Sequence, residues 1–598
     1  MNKKYLYLCF FIVALLILNL CCLINDRDIT EKENKNEDII YKNVIIKGYS
    51  DGKLNFINDG CELSYKVSGI DENFENLLAD IEIESGNLTS ITLKKESITG
   101  KVQAIGDKYI EIAGYGNVYL SNDFKCYFEN KNYATGNLND VKVGAENIRF
   151  VVEGKNICGI IIEGEIVAEN VRVLLMNTGF KDYYHENASL MCGSDYKISY
   201  NIVDSEGNVS QTSNNCSQNE KLIITPDDKR LDYGRIRIEL NDKNKKITFD
   251  SFTRNGNNPA YRGSIEIARY DGKIVIVNEV SLEEYLYSVV PSEMPSSYGV
   301  EALKVQAVCA RSYAMCHLGG NELSKYGAQI DDSTNYQVYN NTLETENSIA
   351  AVDATRGEVL KYGEDIVNAY FFATSCGSTT DSTIWGGTAL PYIKGKLLCS
   401  SKDSLDLMNN DVFTEFIKSN PESFDSETAW YRWNIAFSDS EITNIINNNI
   451  GTIYGKFPKY VLTKQNDGTY ASQKISSVGN VLNISVELRG AGGVIEELLI
   501  IGDRATVKIL KQSAIRNLIN PSGIDINKAD GTKVNNFTSL PSAYFAIERK
   551  DGGYILYGGG FGHGAGMSQT AVKEMINEGM DYKEILEFFY TDVNVETV

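Results

Sequence analysis

Residues 280–320, VSLEEYLYSVVPSEMPSSYGVEALKVQAVCARSYAMCHLGG, constrain the fold more tightly than any other stretch. Ser281 followed three residues later by Glu284 forms a capping box, which predicts a helix starting at Leu282. Pro291 has no amide proton and disfavours helical geometry at Val290, so that helix is expected to end there. Ser296 or Ser297 is the expected cap of a second helix, which carries Ala302, Ala307, Ala310 and Ala314 to a stop at Gly319 and Gly320. Between the two helices lies a short loop pinned by Pro291 and Pro295, holding one acid, Glu293. Its neighbours Val290 and Met294 are apolar, a setting that raises a carboxyl pKa toward what a proton donor needs at neutral pH.

The chain of 598 residues has room for two to four domains. A net charge of −22 argues against nucleic acid, whose recognition needs a basic face. Lys3 and Lys4 precede an apolar run from about Tyr5 to Ile24, long enough to span a bilayer. With no A-x-A-like site after it, residues 1–24 read as an uncleaved signal-anchor, which would put the bulk of the chain in the cell envelope; a cleaved signal peptide is the lesser alternative. Twelve cysteines are scattered without a C-x-x-C, and their pairing cannot be read from spacing. Cys309 and Cys316 are expected to be small buried hydrophobes on the second helix.

Residues 25–40 are charged and featureless, a stalk. Residues 41–168 alternate apolar and polar positions between Gly, Asp and Asn turns, a β-rich accessory region whose weak repeat is read either as two tandem barrel-like units of about sixty residues or as coincidence among short strands. Its expected role is a spacer or docking module. Residues 169–598 then mix strands and helices, giving an α+β chain overall. His185 is read as an isolated surface histidine, and Asp331 with Asp332 as loop carboxylates facing water. Trp430 and Trp433 are expected to be buried anchors rather than sugar platforms. Near the C-terminus Gly560, Gly562 and Ala565 satisfy G-x-G-x-x-A. Too few residues remain for a βαβ unit, so a phosphate loop is excluded.

VSLEEYLYSVVPSEMP with EALKVQAVCARSYA, Gln337-Val338-Tyr339, the AYFFATSCGSTTDSTIWGG tract and Gly562-His563-Gly564-Ala565-Gly566-Met567-Ser568-Gln569 together resemble the SpoIID/LytB family, over about residues 170–598. The resemblance implies a SpoIID-like mixed α/β core and, as in several members, a lytic transglycosylase acting on peptidoglycan glycan strands. Glu293 matches the catalytic acid. Lys304 and Arg311, seven apart on one helix face, match family positions, and with Gln337, Tyr339, Ser375, His563 and Gln569 they are carried over as substrate-binding residues. Some members bind zinc ahead of the Q-V-Y. Here Asp331, Asn335 and Tyr336 stand where Cys, His and Cys are expected, so no metal and no cofactor is predicted. One acid without a matched second carboxylate favours intramolecular closure of a 1,6-anhydro ring over hydrolysis. The alternatives are a non-catalytic module that stimulates a cell-wall amidase, and a hydrolase in which Asp332 or Asp381 activates water.

Overall fold

The computed structural model describes residues 38–67, 75–164, 170–218, 220–399 and 405–598. The anchor predicted over 1–24 and most of the stalk lie outside these residues. Among the described residues no helix is long and apolar enough to cross a membrane.

Residues 41–168 fold as two sheets. The first has five antiparallel strands drawn from 39–94, with Ile39–Ser50 at its centre. The second has seven strands within 97–162, where Asn156–Ile162 runs parallel to Gly116–Phe128. Each sheet buries the inward half of its alternation: Val44, Ile46, Phe56 and Ile81 in one, Val102, Ile110, Phe150 and Ile160 in the other. Tyr127, Val151 and Ile161 join Ile45 and Leu78 in a small core between them.

From residue 170 onward a mixed α+β architecture follows. Its eight described α-helices are α1 Leu282–Glu293, α2 Val300–His317, α3 Glu346–Ala354, α4 Asn410–Ser419, α5 Asp439–Lys456, α6 Gln512–Leu518, α7 Gln569–Asn577 and α8 Tyr582–Phe589. A seven-stranded sheet has Lys273–Ser281 next to Asn170–Leu175, pairing Ser281 with Asn170, and the former strand runs straight into α1. The stretch read as one unit, 169–598, holds two apolar cores. One gathers residues from Val171 to Val593 around α1, α2, α7 and α8, and the other gathers Trp433 to Leu556 around α5 and two five-stranded sheets.

Ser281 caps α1 as expected, its hydroxyl accepting from the Glu284 amide and donating to the Glu284 carboxylate. The expected stop at Pro291 does not occur; α1 passes through the proline and ends at Glu293. Pro291 cannot donate to the Tyr287 carbonyl one turn back, but the Ser348 hydroxyl of α3 does so at 3.1 Å. Met294 N–H then closes the last turn on Val290. Glu293 is therefore a helix terminus, not a loop residue. The start of α2 also differs: Ser296–Tyr298 is a single 3-10 turn, and Gly299 at φ +89° leads into Val300 with no side-chain cap. The predicted stop after Leu318 is present.

Other expectations change through packing. All nine described cysteines are free, and Cys316 is exposed whereas Cys309 is buried. His185 is buried, its Nε2 2.8 Å from the Leu175 carbonyl and its ring against Phe252. Asp331 and Asp332 do not face water; both are fully buried. Asp332 is paired with Arg254, and Asp331 accepts from Tyr183, Ser333 and Asn335. Trp433 is a buried anchor, while Trp430 is half-buried and stacked on Phe561 at 5.0 Å.

Candidate active site

Glu293 sits at the last position of α1, where the helix dipole disfavours an anion. It keeps part of its surface exposed. One carboxylate oxygen accepts the Val338 N–H at 2.7 Å. Burial pushes the carboxyl up to about 7, while the Val338 amide and Gln569 pull the other way.

The loop 562–568 delivers Gln569 to this acid. Met567-Ser568 pairs in parallel with Phe371-Phe372, and Gln569 opens α7. Its amide donates to the Glu293 carbonyl at 2.9 Å and to Gln306 Oε1 on α2 at 3.2 Å. The glycines serve close approach: a Cβ on Gly566 would lie 2.0 Å from the Tyr370 carbonyl. Of the Q-V-Y residues, it is the Val338 backbone that reaches the acid. Gln337 lies behind it, accepting from the Tyr285 hydroxyl at 3.3 Å and leaving its buried amide nitrogen unpaired. His563 sits on the same loop, among the rings of Tyr370, Phe372 and Trp385. Its Nδ1 accepts from the Ala565 amide at 3.1 Å, and burial lowers its pKa to about 4, so the imidazole is neutral with its proton on Nε2.

Four residues expected to line the cleft have other partners. Lys304 pairs with Glu301 one turn earlier at 2.5 Å and lies over the Tyr582 ring. Arg311 is fully buried; it grips the Glu283 carboxylate with two nitrogens at 2.9 and 2.7 Å and donates to the Glu358 carbonyl, tying α1 and α2 to the strand Glu358–Tyr362. Tyr339 is buried between Tyr261 and Tyr285, its hydroxyl on Asn278. Ser375 is buried and donates to Asp425. Arg311, Tyr339 and Ser375 are held by interior partners, whereas Lys304 is held in a surface pair one turn along its own helix.

Three residues emerge that the sequence reading did not select. Asp425 is buried and accepts hydrogen bonds from Ser375, Ser568 and Thr570, so it fixes the residues on both sides of Gln569. Burial raises its carboxyl against those three donors. Nothing local in SFDSET marks it. Gln306 and Tyr313 were more accessible to sequence reasoning: like Lys304 and Arg311 they are seven apart on α2, but on the face that meets Gln569 and Glu293. The candidates for a second acid are occupied. Asp332 holds Arg254, and Asp381 accepts from the Thr383 amide and hydroxyl at 2.8 and 2.6 Å.

A helix-borne acid near neutrality, set among a glycine-rich loop and its glutamine, defines a class of site able to deliver a proton. A family model described as stage II sporulation protein (SpoIID) matches residues 270–362, which include Glu293. A second model, described as a domain of unknown function, matches 379–566. An uncharacterized protein of Brachyspira hyodysenteriae is 30% identical over 351 residues, 58% of this chain and 75% of the relative. Stage II sporulation protein D of Bacillus subtilis is 26% identical, over 53% of this chain and 75% of its own length. The amidase enhancer of the same organism is 27% identical over 51% of this chain, which spans 39% of that protein. The chain belongs to the SpoIID/LytB family.

Proposed function

We propose that this protein is a lytic transglycosylase of the cell envelope, cutting peptidoglycan between N-acetylmuramic acid and N-acetylglucosamine. The observation that carries the reading is the Glu293 carboxyl, raised to about 7 by burial and held by the Val338 amide. At neutral pH such a group gives up a proton and takes one back with nearly equal ease. Glu293 first protonates the bridging oxygen as positive charge builds on the sugar ring. The same carboxylate then removes the proton of the C6 hydroxyl, whose oxygen attacks the anomeric carbon and closes a 1,6-anhydro ring. No water is consumed, and the nucleophile is already tethered. The Val338 amide fixes the carboxyl, and Gln569 fixes the helix end that bears it. The apolar run from about Tyr5 to Ile24 is proposed to hold the protein at the membrane.

A second reading has its own support, since one relative is named for enhancing an amidase. In that case the same surface would bind a cell-wall amidase and the acid would be idle. Mass analysis of peptide-free glycan strands incubated with the full chain, or with Glu293→Gln, decides between them. Anhydro-ended fragments from the parent alone support cutting by Glu293. Reducing-ended sugars would replace it with a hydrolase. Intact strands, with amidase stimulation that survives the substitution, would favour the second reading.

A further inference from the structure

Beside Glu293 six aromatic rings form a continuous band. Tyr336 meets His317 edge-on at 5.6 Å, and His317 stacks on Tyr313 at 4.1 Å. Tyr313 lies 6.1 Å from Tyr370, Tyr370 lies 4.6 Å from Trp385, and Trp385 lies 5.0 Å from His563. These residues come from separate parts of the chain, and five of the six keep exposed surface. Tyr313 is the one nearly buried member.

The band is continuous with the acid. Tyr313 projects from the same α2 face as Gln306, which accepts from Gln569, and Tyr336 lies two residues before Val338, whose amide holds the Glu293 carboxylate. Phe371, next to Tyr370, pairs with Met567 two residues before Gln569. A pyranose ring presents an apolar C–H face and a rim of hydroxyls. Flat rings with polar edges, such as Tyr, Trp and neutral His, match both parts. Mutual stacked, tilted and edge-on contacts hold these rings in place before binding, so little rotamer freedom is lost when a ligand arrives.

We propose that this band is the bed along which successive sugar rings of a glycan strand lie, with Tyr313 contacting the ring next to Glu293. The proposal rests on the glycan-cutting reading for its ligand but is tested by binding, which does not require cutting. Trp385 supplies the signal, because Trp433 is buried and Trp430 has its ring stacked on Phe561. Full-length Glu293→Gln is titrated with peptide-free glycan strands while tryptophan emission is followed, and circular dichroism checks the fold of each variant. Saturable quenching is expected. Trp385→Phe should remove most of the quench and keep the affinity, measured by sedimentation with the strands. Trp385→Ala and Tyr370→Ala should each weaken binding about tenfold. In the cutting enzyme, Tyr313→Phe should lower kcat with little change in KM.

Alanine variants that bind as tightly as the parent would overturn the bed while leaving the cutting reading intact. Binding that depends on Trp385 in a protein that never cuts would keep the bed and remove the transglycosylase. Quenching by a purified amidase, with none by glycan, would make the band a protein-docking face and end the proposal.

Discussion

At neutral pH Glu293 is close to half ionised, because packing raises its carboxyl from an ordinary 4.5 to about 7. Below pH 4.5 the group is neutral in folded and unfolded chains alike. As pH rises toward 7 the unfolded chain loses this proton freely while the folded one retains it, so stability falls; well above 7 the full cost is present, on the order of 3 kcal/mol. Glu293→Gln keeps the acceptor for Val338 and removes the charge. It should therefore raise the melting temperature at pH 8 and leave it unchanged at pH 4, while cutting drops at least about 10³-fold. Differential scanning fluorimetry at the two pH values tests the first, and an equal rise at both would show that the acid is not strained. For the parent, kcat/KM should fall as pH climbs through about 7, since the donor is then ionised. The acid was legible in the sequence, because prolines and apolar neighbours are local features. Its partners were less so. Lys304 and Arg311 announced a helix face through charge, and both charges turned out to be neutralised by Glu301 and Glu283. The face that meets the acid carries Gln306 and Tyr313, which no charge pattern marks.

Helix α1 shows what decides an element boundary when local rules conflict. Capping at Ser281 depends on residues three apart, so the start could be read directly. The end could not. Pro291 orphans the Tyr287 carbonyl, and a serine 57 positions beyond it in the chain repairs the loss. The extra turn places Glu293 at a helix terminus facing Val338, where a stop at Val290 would have left it on a loop. Ser348 has a second task, since its hydroxyl also accepts the Thr345 amide in the α3 cap. Ser348→Ala should thus destabilise the fold by about 1–3 kcal/mol, with an unpaired carbonyl and a weakened cap as causes. Adding Pro291→Ala restores a donor for Tyr287 and should recover part of that loss. A double-mutant cycle in urea measures the coupling. Additive effects would mean that Ser348 acts through α3 alone and that the helix crosses Pro291 for some other reason.

On the scale of the whole molecule, the accessory sheets are joined to the core by buried charge. Arg172 and Arg235 are almost fully buried and converge with Arg237 on Glu266, which is itself fully buried. Burial works to raise Glu266, and the three guanidiniums override it and hold it well below the usual range. The second accessory sheet enters this cluster twice: Glu111 binds Arg235 at 2.7 Å, and Lys101 binds Glu279 at 2.7 Å. Asn321 in turn donates to the Asn139 and Val141 carbonyls. The β-rich character of residues 41–168 was legible in their alternation. The junction was not, because it couples residues more than 100 positions apart whose charges look like ordinary surface charges in a chain of net −22. A buried pair of this kind contributes little over an apolar replacement but is costly to halve. Arg235→Met alone strands Glu111 and takes one of three guanidiniums from Glu266, and should cost about 3–5 kcal/mol, whereas adding Glu111→Leu relieves the stranded carboxylate and should recover part of that loss. Chemical denaturation of the full chain measures both. Limited proteolysis supplies the spatial reading: the single variant should shed the accessory sheets as a separate fragment, and the double variant should resist better. If the single variant is as stable and as resistant as the parent, the charges are not what joins the sheets to the core, and the apolar contacts at Tyr127, Val151 and Ile161 unite only the two sheets with each other.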